Sequence, residues 1–190
     1  MEGKPRARLF VVSGPSGAGK GTVLSKVREL RPDLGLTVSA TTREPRAGEV
    51  DGVSYHFLSE AEFRQRIAQG EFLEWADVHG HLYGTLRKDV DTLLAAGSSL
   101  VLEIDVQGAL NVRESYPEAV LVFIAPPSME ELERRLRMRG SETKESMALR
   151  LADAAHEFEL AKNYDVVITN DDLDRAVSEL IKTIRSFEMK

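Results

Sequence analysis

The stretch LFVVSGPSGAGKGT, residues 9–22, decides the fold. Its first four residues, Leu9–Val12, are apolar without alternation, which is how a strand buried on both faces reads. After it, Val23, Leu24, Val27 and Leu30 recur at helical spacing. Between strand and helix lies GPSGAGKGT, Gly14–Thr22, which holds the pattern Gly-x-x-x-x-Gly-Lys. In that context it reads as a phosphate-binding loop. Glycines let backbone N–H groups curl round an anion, the helix N-terminus adds its dipole, and Lys20 adds a full charge. Gly21 stands where the strict motif has Ser or Thr, and Thr22 comes one place later. The usual hydroxyl ligand to magnesium is therefore missing, and an Mg2+ ion would be held mainly by nucleotide oxygens and water.

Three further β-rich runs, Leu100–Ile104, Val120–Ala125 and Val166–Thr169, are also nearly all apolar. Helical patterns lie between them: Leu86, Val90, Leu93 and Leu94, stopped by Gly97, and the stripe Leu173, Ala176, Val177, Leu180, Ile181 and Ile184, with Asn170 as the expected N-cap. The alternation predicts an α/β fold: a central parallel sheet between helical layers, the three-layer arrangement of P-loop NTPases. Two insertions interrupt it. The first, 37–91, carries a short helix opened by the capping box Ser59…Glu62; the second, 126–156, opens with Ser128…Glu131 and is rich in arginine, with a break expected at Gly140–Thr143. The core is then 1–36, 92–125 and 157–190, one domain with two insertions that move against it. The first eight residues read as a disordered lead.

Composition narrows the function classes. The 190 residues are 42% hydrophobic and 29% charged, enough for one folded domain. The net charge of −6 argues against nucleic acid or an anionic membrane as a general partner. Cysteine is absent, which removes disulfides, thiolate zinc sites and cysteine nucleophiles. The apolar run near the N-terminus is too short for a signal peptide or a span, so a cytoplasmic protein is expected.

Arg43 and Arg46 sit three apart beside turn residues, with Tyr55 nearby. Two guanidinium forks and a phenol make a clamp for a phosphate monoester. The run TTREPRAGEVDGVSYHF (41–57), with FLEWADVHGHLYGT (72–85), LEIDVQGA (102–109) and ITNDD (168–172), resembles guanylate kinases, which make GDP from GMP and ATP. The resemblance covers almost the whole chain. It implies that Arg43, Arg46, Tyr55 and Tyr83 hold the GMP phosphate, that Ser39, Glu74, Thr85 and Asp105 read guanine, and that Glu49 and Glu103 are further acidic positions of that site. It implies that Gly14, Pro15, Ser16, Gly17, Ala18, Gly19, Lys20, Gly21 and Thr22 hold the ATP phosphates and that Asn170 lies near the adenine. Arg135, Arg139 and Arg150 match lid arginines, so Lys20, Arg43 and those three form the catalytic set. GMP and dGMP are the implied acceptors, region 37–91 the acceptor-binding insertion, 126–156 the lid, and guanine nucleotide biosynthesis and GMP recycling the setting. The GKG-T loop departs from the family's GKS-T and resembles that of adenylate kinases, and no side chain is assigned to the metal.

The residues support the same site on chemical grounds. Guanine presents N1–H and a 2-amino group side by side, which a carboxylate such as Glu74 matches; a hydroxyl such as Ser39 can donate to O6. Adenine puts an acceptor at N1, so GMP is expected over AMP. Glu103 and Asp105 alternate along a strand end, where open α/β sheets bind ligands. Bland readings stand beside these: Glu74 next to Trp75 as a solvated residue, Glu103 and Asp105 as a wet strand end, and the 134–139 arginines as a solvated helix face, the preferred reading for Arg134 and Arg137. His79 and His81 suggest a metal only weakly, since phosphates favour magnesium. Two other functions fit parts of the pattern: a related P-loop kinase for another phosphorylated small molecule, and a non-enzymatic binding module of the same fold.

Overall fold

The protein's structure, a computed structural model, describes residues 6–78, 80–138 and 144–190. Four parallel strands, β1 (Leu9–Ser13), β6 (Leu100–Glu103), β7 (Val120–Ala125) and β8 (Val166–Thr169), form the central sheet in the order β6-β1-β7-β8. Strand alternation explains its two cores. Phe10, Val12, Val122, Ile124 and Ile168 face α1 (Lys20–Leu30) and α7 (Leu173–Glu188). Leu9, Val11, Leu121 and Phe123 face α4 (Val106–Ser115), with Val90 of α3 (Arg87–Ala95). Helices therefore cover both faces of the sheet, giving three layers.

Insertion 37–91 contains a second sheet that the sequence reading did not anticipate. It comprises β2 (Ala40–Thr41), β3 (His56–Phe57), β4 (Phe72–Val78) and β5 (His81–Leu86) in the order β3-β2-β5-β4. It is mixed: β2 pairs parallel with β3 and antiparallel with β5. Helix α2 (Glu60–Ala68) packs on it through Phe63, whose ring stacks on Phe72 at 4.2 Å. The Ser59…Glu62 capping box is complete in both directions. Helices α5 (Met129–Met138) and α6 (Lys144–Leu160) pack together through Leu132, Leu136 and Ala154. Helix α3 runs across residues 91 and 92, and α6 across 156 and 157. The expected break at Gly140–Thr143 lies outside the described residues.

Several local expectations are corrected. Val166–Thr169 is an edge strand, not one buried on both faces: Val167 is half exposed. Leu30 leaves the apolar stripe of α1 and faces solvent, because α1 ends there. Leu86 closes β5 and precedes α3 rather than belonging to a helical stripe. The N-cap of α7 is Asp172, which accepts from the Arg175 N–H at 2.8 Å; Asn170 is buried two residues earlier. Ser128 accepts from the Glu131 N–H, but the Glu131 carboxylate turns to Arg134 and Arg135 instead of completing a box. Residues 6–8 are held rather than loose: the Arg6 N–H donates to the Glu188 carbonyl at 2.7 Å, and the Arg8 N–H to Ser99 Oγ at 3.2 Å.

The turn out of β1 is the tightest point of the fold. Gly14 has φ +143°, and a Cβ there would lie 2.1 Å from the Ile124 carbonyl oxygen. Gly14→Ala is expected to cost about 3 kcal/mol and lower the melting temperature by about 10 °C. Gly48→Ala, where φ is +88° but nothing lies within 4 Å, is expected to cost only about 1 kcal/mol. Thermal melts of both variants check the contrast.

Candidate active site

The loop from Gly14 to Gly19 joins the end of β1 to the start of α1. Gly17 (φ +92°) and Gly19 (φ +87°) adopt left-handed backbone that side chains strain to reach. No side chain caps α1, whose N-cap is Gly19. The first-turn N–H groups of that helix are thus left for an anion. Lys20 Nζ donates to the carbonyls of Gly14 (2.5 Å) and Pro15 (3.1 Å), which aims it back across the loop.

Asn170 braces this loop from behind. Its Nδ2 donates to the Ala18 carbonyl at 2.8 Å, its own N–H donates to Ala125, and its carbonyl accepts from Arg135 at 2.8 Å. It lines a pocket of about 360 Å³ together with Gly17, Gly19, Thr22, Arg135, Asp171 and Leu173. One buried amide therefore joins the end of β8, the loop and α5. Arg135 also pairs with Glu131 at 2.8 Å, and Arg134 and Arg135 hold the Glu131 carboxyl down to about 2. Arg150 of α6 donates to Ser16 Oγ at 2.8 Å, so two arginines of the second insertion already touch the loop or its brace. Arg134 and Arg137 pair with Glu131 and Glu133 on the exposed face of α5, as a solvated helix face would. Arg139 and His79 lie outside the described residues.

A second pocket, about 490 Å³, opens between the two sheets. Ser39, Tyr55, Glu74, Tyr83, Thr85, Glu103 and Asp105 all line it. Glu74 and Thr85 face each other across β4 and β5, and Thr85 Oγ1 donates to Glu74 Oε1 at 2.7 Å. Burial pushes the Glu74 carboxyl up; the Thr85 hydrogen bond opposes this, and the nearby Asp105 adds to it. This partly buried, hydrogen-bonded carboxylate is no solvated surface residue. Asp105 corrects the strand reading: β6 ends at Glu103, and Asp105 is the N-cap of α4, accepting from the Gly108 N–H at 2.6 Å. It reaches the pocket from a helix terminus, not by strand alternation.

Arg43, Arg46 and Glu49 stand beside this pocket without lining it. Arg43 forks onto Glu49 at 2.8 and 3.0 Å, and its guanidinium lies 5.4 Å from the Tyr55 ring centroid. Tyr55 meets Tyr83 edge-on at 6.1 Å, which ties Arg43 to the pocket wall. Glu49 also accepts from the Arg46 N–H at 2.7 Å, and Arg43 with this bond lowers its pKa. Arg28 of α1 also lines the pocket and was missed, because two turns beyond Lys20 it carries no motif.

The guanylate kinase family model matches residues 6–187. The chain belongs to the guanylate kinase family. It is 51% identical over 180 residues to the guanylate kinase of Caldanaerobacter subterraneus subsp. tengcongensis, covering 95% of this chain and 87% of that one. It is 52% identical over 180 residues to that of Symbiobacterium thermophilum, covering 95% and 85%. The crystal structure of guanylate kinase from Anaplasma phagocytophilum superposes with a TM-score of 0.73 at 34% identity, covering all of this chain and 90% of that one. Among the described residues of this family member, no helix is long and apolar enough to cross a membrane.

Asn170→Asp sets an acceptor against the Ala18 carbonyl in place of a donor. The variant is expected to lose about 2 kcal/mol, and denaturant unfolding measures it. A loss below about 0.5 kcal/mol, half an ordinary hydrogen bond, would show that the brace is dispensable.

Proposed function

We propose that this chain transfers the γ-phosphoryl group of ATP to GMP, giving ADP and GDP. The observation that carries the reading is a glycine-rich anion loop together with a pocket lined by a partly buried, hydrogen-bonded carboxylate, Glu74. In this assignment Gly14–Thr22 and Asn170 form the donor site. Arg43, Arg46, Tyr55 and Tyr83 bind the acceptor phosphate, and Ser39, Glu74, Thr85 and Asp105 bind guanine, with Glu49 and Glu103 as further acidic positions. The guanine readers favour GMP over the phosphorylated substrate of a different kinase. The intact loop and Lys20 favour an enzyme over a binding module.

The acceptor is a phosphate oxygen, already anionic at neutral pH, so no strong general base is assigned. The obstacle is charge. One like-charge pair at 4 Å costs about 4 kcal/mol at an effective dielectric near 20, and several are present. Lys20, Arg43, Arg46, Arg135, Arg139 and Arg150 offset this repulsion and stabilise charge on the transferring group. Glu49 holds Arg43 in place before substrate arrives.

Among the described residues, no cluster of three or more His, Asp or Glu side chains could cage an ion. A Cβ at Gly21 would sit 3.9 Å from both Glu103 carboxylate oxygens, and Thr22 lines the donor pocket. That donor set fits an Mg2+ ion carried in by ATP, which Thr22 and Glu103 would help to hold. When bound, the ion neutralises phosphate charge. We further propose that 37–91 and 126–156 close over the two nucleotides and exclude water, which would otherwise accept the phosphoryl group.

The test is ADP release from ATP and magnesium with GMP, dGMP, AMP, UMP or no acceptor. Turnover only with GMP and dGMP is expected; equal turnover with AMP, or none on any nucleotide, would contradict the assignment. Glu74→Gln is expected to reduce GMP-over-AMP discrimination by about 10² or more. Glu74 must be ionised to accept from guanine, and burial raises its pKa. kcat/KM for GMP is therefore expected to fall with acidity above the ordinary carboxylate range, a limb that Glu74→Gln removes.

A further inference from the structure

The pocket between the two sheets is walled by three carboxylates, Glu74, Glu103 and Asp105, and by one basic side chain, Arg28. Arg28 stands on α1 beside the buried Val27 and one turn from the buried Leu24, at the edge of the face that packs on the central sheet. It is half-buried, and its Nε is buried with no hydrogen-bond partner among the described residues. Arg8, Arg31 and Arg113 also bury such a nitrogen, but each pairs with a carboxylate through another one. Arg28 has no ion pair among the described residues, although three carboxylates line its cavity. A buried donor without an acceptor is unfavourable. In the wall of a cavity it points to an acceptor on the molecule that the cavity takes up.

The other donors of the pocket narrow what that acceptor is. Thr85 spends its hydroxyl proton on Glu74. Tyr55 and Tyr83 belong to the proposed phosphate clamp. Thr37, Ser39 and Arg28 remain to donate to a base. Glu74 matches the N1–H and 2-amino group of guanine, which leaves O6 and N7, two acceptors side by side. A guanidinium offers two parallel N–H groups, the fork by which arginine recognises that edge of guanine in nucleic acids. O6 has two lone pairs, so Ser39 can share it.

We infer that Arg28 is a specificity-determining residue that donates to O6 and N7 of guanine, the edge that Glu74 leaves unread. The inference rests on the assignment of this pocket to GMP. It gives the site two separate grounds for choosing its base. Adenine carries an amino group where guanine has O6, so Arg28 sets a donor against a donor there, while Glu74 meets an acceptor at N1. Guanine also supplies the acceptors that Arg28 lacks in the empty pocket.

The decisive experiment titrates GMP and 7-deaza-GMP, in which a C–H group replaces N7, into the full chain by calorimetry. Wild type is expected to bind GMP about tenfold more tightly than 7-deaza-GMP. Arg28→Met keeps an apolar arm and removes the donors. It is expected to bind GMP at least about tenfold more weakly than wild type, and to bind the two ligands within about twofold of each other. Arg28→Lys keeps the charge but not the fork and should fall between. A structural role, or a charge that merely balances the carboxylates, would weaken both ligands equally and leave their ratio at the wild-type value. That result overturns the inference while leaving the pocket to GMP. Equal affinity of wild type for GMP and 7-deaza-GMP overturns it whatever the variants do, including the case in which Arg28→Met does not fold. Absence of GMP binding to wild type overturns both the inference and the assignment beneath it.

Discussion

Two polyanions must be brought within bonding distance, in a protein that is itself acidic, and that constraint organises the molecule. The answer is a concentration of donors where β1 ends. Gly14 lets the chain pass so close to the Ile124 carbonyl that no side chain fits, and α1 starts without a side-chain cap. Its orphan N–H groups and Lys20 form one pole of the cleft. Arg43, fixed by Glu49 and the Tyr55 ring, begins the other pole. Arg135 and Arg150 of the second insertion join the first pole, in contact with Asn170 and with the loop. Each of these described cations has an acceptor nearby, which keeps a site for anions stable when empty.

The acidic residues of the cleft then fall into separate uses. Glu49 orders a guanidinium. Glu74, raised by burial and held by Thr85, lines the pocket proposed for the base. Asp105 caps α4 while its position at the pocket makes it available to the same base. Carboxylates in a phosphate-handling site work against binding unless each has a partner or a proton, and each of these has one or the other within reach.

The central architecture was legible because its signals are local. An unbroken apolar run before a glycine loop, and a helical stripe after it, can mean little else, and the stripe from Leu173 to Ile184 and the Ser59…Glu62 box are of the same kind. The second sheet was not legible. Its strands β2 and β3 are two residues long, too short for any period to show; β2 is set by pairing with β5, whose partner residues lie far along the chain, and β3 by pairing with β2. Asp105 looked like a strand residue because alternation continues for two residues beyond the last ladder pair, yet its side chain turns to cap a helix. Asn170 looked like a cap because asparagine favours that place. Tertiary contact decided otherwise: the amide found Ala18, and Asp172 took the cap. Residues 6–8 carried no apolar signal and are held by backbone bonds and by Glu118, which no local pattern announces. The residues proposed for the acceptor were read through motif resemblance, whereas Arg28, which belongs to no motif, became visible at the pocket only in three dimensions.

The central claim is that opposite charge draws the separate segments of this cleft together as its two anions bind. Small-angle scattering tests it most directly. The radius of gyration would be measured for the chain alone, with GMP, with a non-hydrolysable ATP analogue, and with both. The account predicts partial compaction with each ligand and the smallest radius with both, since 37–91 and 126–156 then close together. An unchanged radius with both ligands at saturating concentration would contradict it.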